Sequence, residues 1–416
     1  MPSQAGTPST AARHLRPWAE ALLTAVVPLL LMAGLAALGL WLAGADSLPD
    51  GAFPSVVAAT VLMALGVPVE LNGTAAFVAE AQGGLEAMPL SVTLLGALAT
   101  AHLFLRPLRL RAVATPAELA ARAGRTALLW LVLITLLRLP AEHSFAVPTG
   151  DPLLDDLGAA FGAAPAVGFR TALLPTLGIG LLWLAGVLLL TLLASRRAPL
   201  PPALLRYRSA VQPAAHAVLT LLLLYVALAA VAGLVTAAVA GHPRTTFAVL
   251  LLALPNLAWL ALGIGLGGAW HGSAPTDIGL PMPPALAEVL RVPSGQDATL
   301  DLSTLAAHDG RAWLLAALAA VTLLLAGYGA ARHTAPGTRL WQYAAHLAAA
   351  LAAAALLLGL VTRISAALGL SLLGFDATGG GVSLTPDLLR TVPLAALWGA
   401  LAGLLGGLAA RRRHPR

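Results

Sequence analysis

Polar side chains able to do chemistry are rare in the long apolar stretches of this sequence, and the best placed is Asn256. It follows Pro255 near the middle of the apolar run 245–270, where the proline removes one helical hydrogen bond. A break here would let the chain turn back or line a pathway for a small molecule, with the amide of Asn256 as its polar group. Two other interpretations remain open: a kinked helix that continues through the proline, and an asparagine that only satisfies the interrupted backbone.

The reactive side chains of many enzymes are missing from the chain. There is no cysteine and all 24 strongly basic residues are arginine, which excludes thiol nucleophiles, cysteine-ligated metals, P-loop lysines and lysine Schiff bases. Gly263, Gly265 and Gly268 match G-x-G-x-x-G, but they lie inside an apolar segment rather than between a strand and a helix. The motifs H-E-x-x-H and G-x-S-x-G do not occur. We therefore expect no enzymatic activity, no cofactor and no metal site.

The composition shows which solvent the chain needs. Of 416 residues, 59% are hydrophobic and 10% are charged, and the mean hydropathy is +0.86. About 25% charged residues are usual in soluble domains, and a single aqueous core stops growing at roughly 250 to 300 residues, so this much apolar surface requires a lipid bilayer. The net charge of +6 does not indicate nucleic-acid binding, because the arginines lie between the apolar runs, where the positive-inside rule places them.

The remaining ionisable groups lie near the ends of apolar runs. His102, His216 and His346 occupy such positions, and the long side chain of Arg138 can reach water. A charge at the centre of a membrane helix costs about 2.5 to 3.5 kcal/mol and would mark a functional site. The lack of carboxylates within the runs argues against a pump driven by protons or sodium.

Apolar runs of about 20 residues, the length that spans a bilayer, recur along the chain. They predict an all-α fold, a polytopic helical integral membrane bundle with eight to ten membrane segments. The first run is too long for a secretory signal and is expected to be an uncleaved anchor. The runs are 18–43, 89–106, 126–142, 173–195, 214–240, 245–270, 311–331, 340–362 and 391–410, with a shorter one at 53–66.

The charges favour a topology in which two of these segments do not cross. If 53–66 and 245–270 enter and leave on the same side, 17 arginines face the cytoplasm and 7 lie outside, with 16 of the 18 acidic residues also outside. This arrangement satisfies the positive-inside rule and places both termini in the cytoplasm of a bacterial plasma membrane. If all ten segments cross, two arginine-rich loops lie outside.

The second half of the chain echoes the first. LWLA from Leu182 matches LWGA from Leu397, each followed by an Arg-Arg pair, and PWAEALLT from Pro17 aligns with PAAHAVLT from Pro213. The repeat is parallel if each half has four crossings and one re-entrant segment, and inverted if all five segments cross. The expected division is a flexible cytoplasmic N-terminus 1–13, a first half 14–197, a linker 198–205 and a second half 206–413 that contains an outer loop 271–310.

Short local patterns predict helix ends and helix contacts. TPAE from Thr115 is a capping box, and TPD from Thr385 opens the last helix in the same way. Gly399, Gly403 and Gly407 form a stripe of small residues in the last span. The stripe fits close packing within the bundle, with a homodimer interface as the alternative. The acidic loops 45–88, 143–172 and 271–310 predict connections with short helices, which are either solvated or bind a ligand or an envelope partner.

Apolar phrases along nearly the whole chain resemble those of a known family. They include GLEAMPLSVTLLGAL from Gly84, LLPTLGIGLLWLAG from Leu173, LALPNLAWLALGIGLG from Leu252 and GFDATGGGVSL from Gly374. In these phrases the chain resembles the streptophobe family, very hydrophobic multi-spanning membrane proteins of streptomycetes and their relatives. The resemblance implies a multi-pass plasma-membrane protein and carries over no catalytic residue.

Two functions are consistent with these features. The missing catalytic motifs and the scarcity of buried polar groups favour a non-enzymatic envelope or scaffold protein, whose partners are the lipid bilayer and either an envelope protein or a second copy. The repeat and the Pro255-Asn256 pair favour a permease or flippase for an uncharged or amphipathic molecule. A water-filled cavity between the halves would distinguish the second function from the first.

Overall fold

The computed structural model describes residues 10–48, 51–75, 79–107, 115–146, 166–195, 202–239, 241, 243–273, 289, 298–334, 338–372 and 375–413. Most of this part of the chain is helical, and the predicted helical membrane bundle is confirmed. The α-helices are α1 (Thr10–Leu42), α2 (Ala52–Ala64), α3 (Leu90–Leu105), α4 (Pro116–Arg138), α5 (Leu173–Ala194), α6 (Pro202–Val239), α7 (Pro243–Gly265), α8 (Leu302–His308), α9 (Trp313–Arg332), α10 (Leu340–Val361) and α11 (Leu388–Arg413).

The strands form one antiparallel sheet in the order β3-β4-β1-β2-β7-β8-β5-β6. The first four positions belong to the first half of the chain and the last four to the second. The two sets meet where β2 pairs with β7, from Ala79 opposite Leu372 to Ala87 opposite Ile364. The strands are β1 (Val69–Ala75), β2 (Ala79–Ala87), β3 (His143–Ala146), β4 (Ala166–Arg170), β5 (Trp270–Ser273), β6 (Ala298–Leu300), β7 (Ile364–Leu372) and β8 (Phe375–Pro386).

The shared sheet defines one end of the bundle, which we call the sheet end. α4 leads into β3, and near its start Arg122 Nη1 donates to Glu20 Oε2 of α1 at 2.9 Å. α1 and α4 are therefore parallel and both run towards the sheet end, as α6 and α10 do. α3, α5, α9 and α11 follow strands and run away from it. Within the described ranges, eight helices thus connect the two ends of the bundle.

α7 begins and ends at the sheet end. It starts beside the end of α1, where Arg244 Nη2 donates to the carbonyl of Trp41 at 2.9 Å. It finishes beside the first turn of α9, where a Cβ on Gly265 would lie 2.6 Å from the Leu315 carbonyl oxygen. Eight helices have the length and apolarity of membrane spans, and α7 is among them while α3 is not. Connectivity separates these two: α3 connects the ends with 16 residues, about 24 Å of helix, whereas both ends of α7 lie near the sheet end and its Trp259 donates to the Leu222 carbonyl in the middle of α6.

α2 also returns to the side from which it started. It follows the end of α1, and the carbonyl of its last residue, Ala64, accepts a hydrogen bond of 2.6 Å from Thr93 in the first turn of α3. β1 begins shortly afterwards. α2 and α7 thus occupy the two segments that the charge pattern predicts to enter and leave on one side.

α2 and α7 end in the same way. Gly66 and Gly267 follow them with positive φ angles of 91° and 89°. In each case the next N–H reaches back, from Val67 to the Leu62 carbonyl and from Gly268 to the Gly263 carbonyl, as in a Schellman motif. A strand begins three residues after each of these glycines, β1 and β5 respectively. The left-handed conformation, which glycine adopts without strain, turns both helices back into the sheet.

Each half encloses its own buried core. In the first half the core includes Met32, Phe104 and Trp130, all fully buried, and in the second half Leu323 and Leu351 lie at the centre of an equivalent cluster. Many large apolar side chains on the outside of the helices are exposed, as expected for surfaces that face lipid.

Two segment boundaries differ from the sequence prediction. α1 begins at Thr10, inside the segment 1–13 expected to be flexible, because Ala11 and Ala12 favour helix. α6 begins at Pro202, so that the last part of the predicted linker 198–205 is helical, since the fixed φ of proline suits the first helical position. Residues 1–9 and 196–201 lie outside the described residues.

The sequence did not predict the sheet. The three acidic loops were expected to hold short helices, but their described parts supply β1 to β6 along with α2 and α8. β2 (AEAQGGLEA) alternates, with Glu80, Gln82 and Glu86 on one face, but most of its other residues are alanine and glycine, which are depleted in strands. β1 with β2 and β7 with β8 form hairpins of consecutive strands, whereas β2 and β7 come from different halves of the chain and their pairing leaves no local signal.

The two ends of the bundle differ in charge. Arginines gather at the end opposite the sheet, and acidic residues at the sheet end. The arginines there include Arg106, Arg122, Arg125, Arg332, Arg339, Arg411 and Arg412, and the acids at the sheet end include Asp46, Glu70, Glu86, Glu142, Asp301 and Asp387.

Candidate functional site

Asn256 lies at the contact between α7 and the start of α3. Its Nδ2 donates to the carbonyl of Met88 at 2.9 Å, and its Oδ1 accepts from the N–H of Leu90 at 3.1 Å. The first N–H groups of a helix have no partner within the helix, so Asn256 supplies one of the missing partners of α3. Its nitrogen and its oxygen both bind backbone from the other half of the chain.

Ser91 repairs the helix that Pro255 interrupts. The Ser91 hydroxyl donates to the Leu250 carbonyl at 3.0 Å and accepts from the Leu254 N–H at 3.1 Å. It therefore bridges the turn just before the proline, where helical bonding is weakest. α7 is one continuous helix with Pro255 buried inside it, and the chain does not turn back at this point.

The expected break at Pro255-Asn256 is therefore not formed, because a hydroxyl from α3 holds the helix together. Of the interpretations that the sequence left open, the continuous helix is the correct one. Asn256 does satisfy backbone, but that of α3 rather than that of its own helix. The pair joins the two halves of the protein.

Gly399, Gly403 and Gly407 line the contact between α11 and α10. A Cβ on Gly399 would lie 2.7 Å from the Leu347 carbonyl oxygen, and one on Gly403 would lie 2.5 Å from the Tyr343 carbonyl oxygen. These obstacles are backbone atoms, which cannot move aside as a side chain can. The stripe serves packing within the chain, the first of the two roles that the sequence suggests.

A crevice opens below the sheet between α7 and α10. Its walls are almost entirely apolar, and its polar groups lie near the sheet end. The lining residues are Leu222, Trp259, Leu262, Gly263, Leu266, Trp270, Leu351, Ala354, Ala355, Leu358, Gly359, Thr362, Pro386 and Thr391.

The three glycines of the literal G-x-G-x-x-G match pack around this crevice. Gly263 lies under the ring of Trp270, and a Cβ added there would be 3.0 Å from Cζ3 of that ring. A Cβ added at Gly268 would be 2.8 Å from Thr391 Oγ1. Gly265 allows the backbone of α9 to pack closely at Leu315. Their spacing reflects the close approach of neighbouring segments and has no relation to a dinucleotide.

Two buried polar atoms beside the crevice have no hydrogen-bond partner among the described residues. They are Nε1 of Trp270 and Oγ1 of Thr391, in residues that are 3% and 5% exposed. Leaving such a group unpaired costs about 1 to 3 kcal/mol. A ligand that accepted hydrogen bonds from these two groups would remove this cost.

A polar cluster lies on the other face of β5. Adjacent strand residues point to opposite faces, so Trp270 is buried while His271 is exposed. Thr299 Oγ1 lies 3.2 Å from His271 Nδ1, and Asp387 Oδ2 lies 3.9 Å from His271 Nε2. The second distance is too long for a hydrogen bond, so that the carboxylate attracts the imidazole only when the imidazole is protonated. The cluster could not be found from sequence, because its members come from three distant strands and turns.

The predicted capping box of α4 is confirmed, whereas the last helix begins two residues later than the Thr-Pro pattern predicts, because Thr385 and Pro386 belong to β8 and Asp387 is the cap of that helix. Thr115 and Glu118 form the capping box of α4, and Asp387 accepts from the Arg390 N–H at the start of α11. Arg138 lies at the sheet end of α4, where its Nε donates to the Thr171 carbonyl at 2.7 Å. His346 lines a small cavity at the opposite end of α10. Neither side chain lies in the middle of a span.

Asp301 caps the short helix α8. Its Oδ1 accepts from the N–H groups of Ser303 and Thr304, both at 2.9 Å. Burial alone would raise the pKa of Asp301, but these hydrogen bonds and the guanidinium of Arg390 at 3.5 Å outweigh burial and hold the pKa below its usual value. Asp301 is therefore a structural anion.

Comparison of the chain with protein-family models, with curated proteins and with solved structures finds no match. In the part of the chain that the structure describes, no three His, Asp or Glu side chains are placed to hold a metal ion. The fold itself defines the class: a multi-pass membrane protein whose apolar helices require a lipid bilayer.

Proposed function

We propose that the chain is a non-enzymatic scaffold protein of the bacterial plasma membrane, related to the streptophobe proteins it resembles. The observation that carries the proposal is the pairing of β2 with β7, which joins the two halves along nine residues of each strand. A permease that alternates access must move one half against the other. A scaffold needs the opposite, halves that hold a fixed relation.

Further contacts between the halves support a fixed relation. Arg244 binds the end of α1 through Trp41, and a Cβ on Gly39 would lie 2.7 Å from the side chain of Leu252. Ser91 and Asn256 join α3 to α7 by four hydrogen bonds. All of these contacts lie at or near the sheet end, so that the sheet and α7 act together as a brace.

The order of elements supports a parallel repeat of the halves 14–197 and 206–413. Each half has a long crossing helix, a helix that returns to the sheet end, a strand pair, two crossing helices, a second strand pair and a last crossing helix. Small elements such as α8 are the exceptions to this correspondence. Parallel halves with four crossings each place both termini on one side.

The charge distribution supports a cytoplasmic location for both termini. α1 begins and α11 finishes at the end of the bundle that carries most of the arginines. By the positive-inside rule this end faces the cytoplasm, which places the sheet outside the membrane. There the sheet offers a surface for an envelope protein.

The permease alternative gains little from the geometry. Both polar atoms of Asn256 are bound to backbone, and the two cavities described above lie within the second half rather than between the halves. A substrate path between the halves would require the contacts of the sheet and of α7 that join the halves to break.

Distance measurements across the molecule test the scaffold proposal. Ala121→Cys on α4 and His333→Cys at the end of α9 place spin labels in different halves at the end opposite the sheet, and the protein contributes no other cysteine. A scaffold gives one narrow distance distribution in nanodiscs. The pair Ala121→Cys and His102→Cys lies within the first half and sets the width expected of rigid protein. Two populations in the pair that joins the halves, with a single population in the control, would contradict the scaffold and favour the permease.

A further inference from the structure

The crevice between α7 and α10 is a specific feature of the second half. α4 and α10 each follow an N-cap residue whose N–H donates to the side chain three residues later, Thr115 to Glu118 and Arg339 to Gln342. Fifteen residues after these N-caps stand Trp130 and Ala354. Trp130 is fully buried and stacks on Trp183 with ring centroids 5.2 Å apart, whereas Ala354 lines the crevice. Ala354 contributes only a methyl group to the wall, which leaves the space open.

The crevice has the depth of one lipid leaflet. It runs along α10 from Thr362 at the sheet end to Leu351. At a rise of 1.5 Å per residue this is about 16 Å, and half of a bilayer's hydrocarbon core is about 15 Å. An occupant of this length and apolar character is already abundant around the protein: the hydrocarbon chain of a lipid.

The unpartnered polar atoms lie where the polar end of such a chain would be. Trp270 is the first residue of β5, and Thr391 is in the first turn of α11. Both residues therefore lie at the sheet end of the crevice. Trp270 Nε1 can only donate a hydrogen bond, so it needs an acceptor. The ester carbonyl of a glycerolipid accepts and does not donate.

We propose that the crevice binds one acyl chain of a diacyl glycerolipid from the leaflet at the sheet end. The chain lies against Ala354 and Ala355, and its ester carbonyl accepts from Trp270 Nε1 and from the Thr391 hydroxyl. The site does not depend on the scaffold function, because a lipid held in this way would also fit a protein with mobile halves.

Photo-crosslinking in nanodiscs tests the site. The full-length protein is reconstituted with phosphatidylglycerol that carries a diazirine in one acyl chain, irradiated and digested with trypsin. The chain has no lysine, so trypsin releases 340–363, the whole of α10, between Arg339 and Arg363. Crosslinks on Ala354 and Ala355 report the crevice. Crosslinks on Leu356 and Leu357, which are exposed to surrounding lipid, provide the internal reference.

Filling the crevice should remove the specific crosslinks. Ala354→Trp places an indole in the crevice, and we expect crosslinking of the crevice residues, relative to the reference, to fall about ten-fold. Ala353→Trp adds the same side chain on the exposed side of α10 and should change nothing. Ala354→Leu fills the site partly and keeps the test valid if the tryptophan variant fails to fold. Equal relative crosslinking in wild type and in the filled variants would overturn the proposal.

Native mass spectrometry tests the polar contacts separately. The wild-type protein, stripped of loosely bound lipid in detergent, should retain one glycerolipid. Thr391→Val removes only the hydroxyl, and Trp270→Phe removes the indole N–H together with part of the ring; both should lower that retention several-fold. Retention that does not change in either variant, or a retained species that is an isoprenoid rather than an acyl lipid, would refute the proposed ligand.

Discussion

Replacement of Asn256 by leucine should destabilise the contact between the two halves. Leucine has the same branched shape and the same number of side-chain heavy atoms, so that the outline of the side chain is kept while the two hydrogen bonds to Met88 and Leu90 are lost. The two backbone groups then remain in a partly buried contact between helices, where lipid offers no replacement partner. Asn256→Leu therefore separates the bonding role of the side chain from its size.

The size of the effect follows from the number of bonds. A hydrogen bond contributes about 1 kcal/mol net in water-soluble proteins, and an average of about 0.6 kcal/mol with a maximum near 1.7 within membrane bundles. Two bonds predict a loss of about 1 to 3 kcal/mol for Asn256→Leu. Ser91→Ala also breaks two bonds, at Leu250 and Leu254, and should cost a similar amount. Since Leu90 and Ser91 are adjacent, the double variant should lose less than the sum.

The assay is equilibrium unfolding of the full-length protein in mixed micelles of mild detergent and SDS, followed by the fluorescence of its nine tryptophans. Thr135→Val is the matched control, because its hydroxyl donates only to the Leu131 carbonyl of its own helix, at 2.8 Å. It should change the free energy of unfolding by less than about 0.5 kcal/mol.

The reasoning would be refuted if Asn256→Leu unfolded at the same SDS fraction as wild type while Ser91→Ala did not. Asn256 would then have no structural role, and its polarity would point again to a pathway for a polar molecule. If Thr135→Val and Asn256→Leu lowered the free energy of unfolding by the same amount, hydrogen bonds between the halves would contribute no more than those within one helix.

Three further predictions concern other parts of the fold. Glu86→Cys with Ser365→Cys, opposite each other in β2 and β7 and both exposed, should form a disulfide in cells without added oxidant, because the proposed topology places the sheet outside the cytoplasm. Gly403→Val should lower the free energy of unfolding by about 3 kcal/mol or more, because the new side chain meets the backbone of α10. The pKa of Asp301 is depressed in the folded state, so its stabilisation of α8 is complete above the unfolded pKa near 3.9 and is lost as the pH falls through the lower folded value. Asp301→Asn, which keeps a capping side chain without the charge, should therefore weaken the pH dependence of hydrogen exchange in α8.

Each of these predictions has a control within the chain. Glu86→Cys with Ala366→Cys shifts the pairing by one residue and places the thiols on opposite faces, so that a disulfide there would contradict the register. Gly186→Val adds the same side chain where no atom lies within 4 Å, and should be tolerated. Identical pH profiles for wild type and Asp301→Asn would show that the charge of Asp301 does not stabilise α8.

The crossing helices could be predicted from sequence because each is a long apolar run bounded by charges or turn residues. Segment length alone would have misled, since α7 has 23 residues but begins and ends near the sheet end, while α3 connects the two ends with 16. The distribution of arginines and acids predicts the same two exceptions, 53–66 and 245–270. Charge distribution is a property of the whole chain, so it carries information on topology that a single segment lacks.

The contacts of the candidate sites could not be predicted in this way. Asn256 was noticed for its place after a proline, yet its partners lie 166 and 168 residues away, at Leu90 and Met88. The crevice depends on a small residue at Ala354 opposite α7, which in the sequence is one alanine among many. Such sites become visible only when the fold brings distant segments together.

The strand order also bears on how the two halves are related. In β3-β4-β1-β2-β7-β8-β5-β6, the second set repeats the first in the same order, with β7 in the place of β3 and β5 in the place of β1. An inverted repeat would put the strands of one half at the opposite end of the bundle, where they could not pair with the other half. A fifth crossing in either half would have the same effect on every later strand. The single sheet therefore requires that α2 and α7 return to the end from which they started.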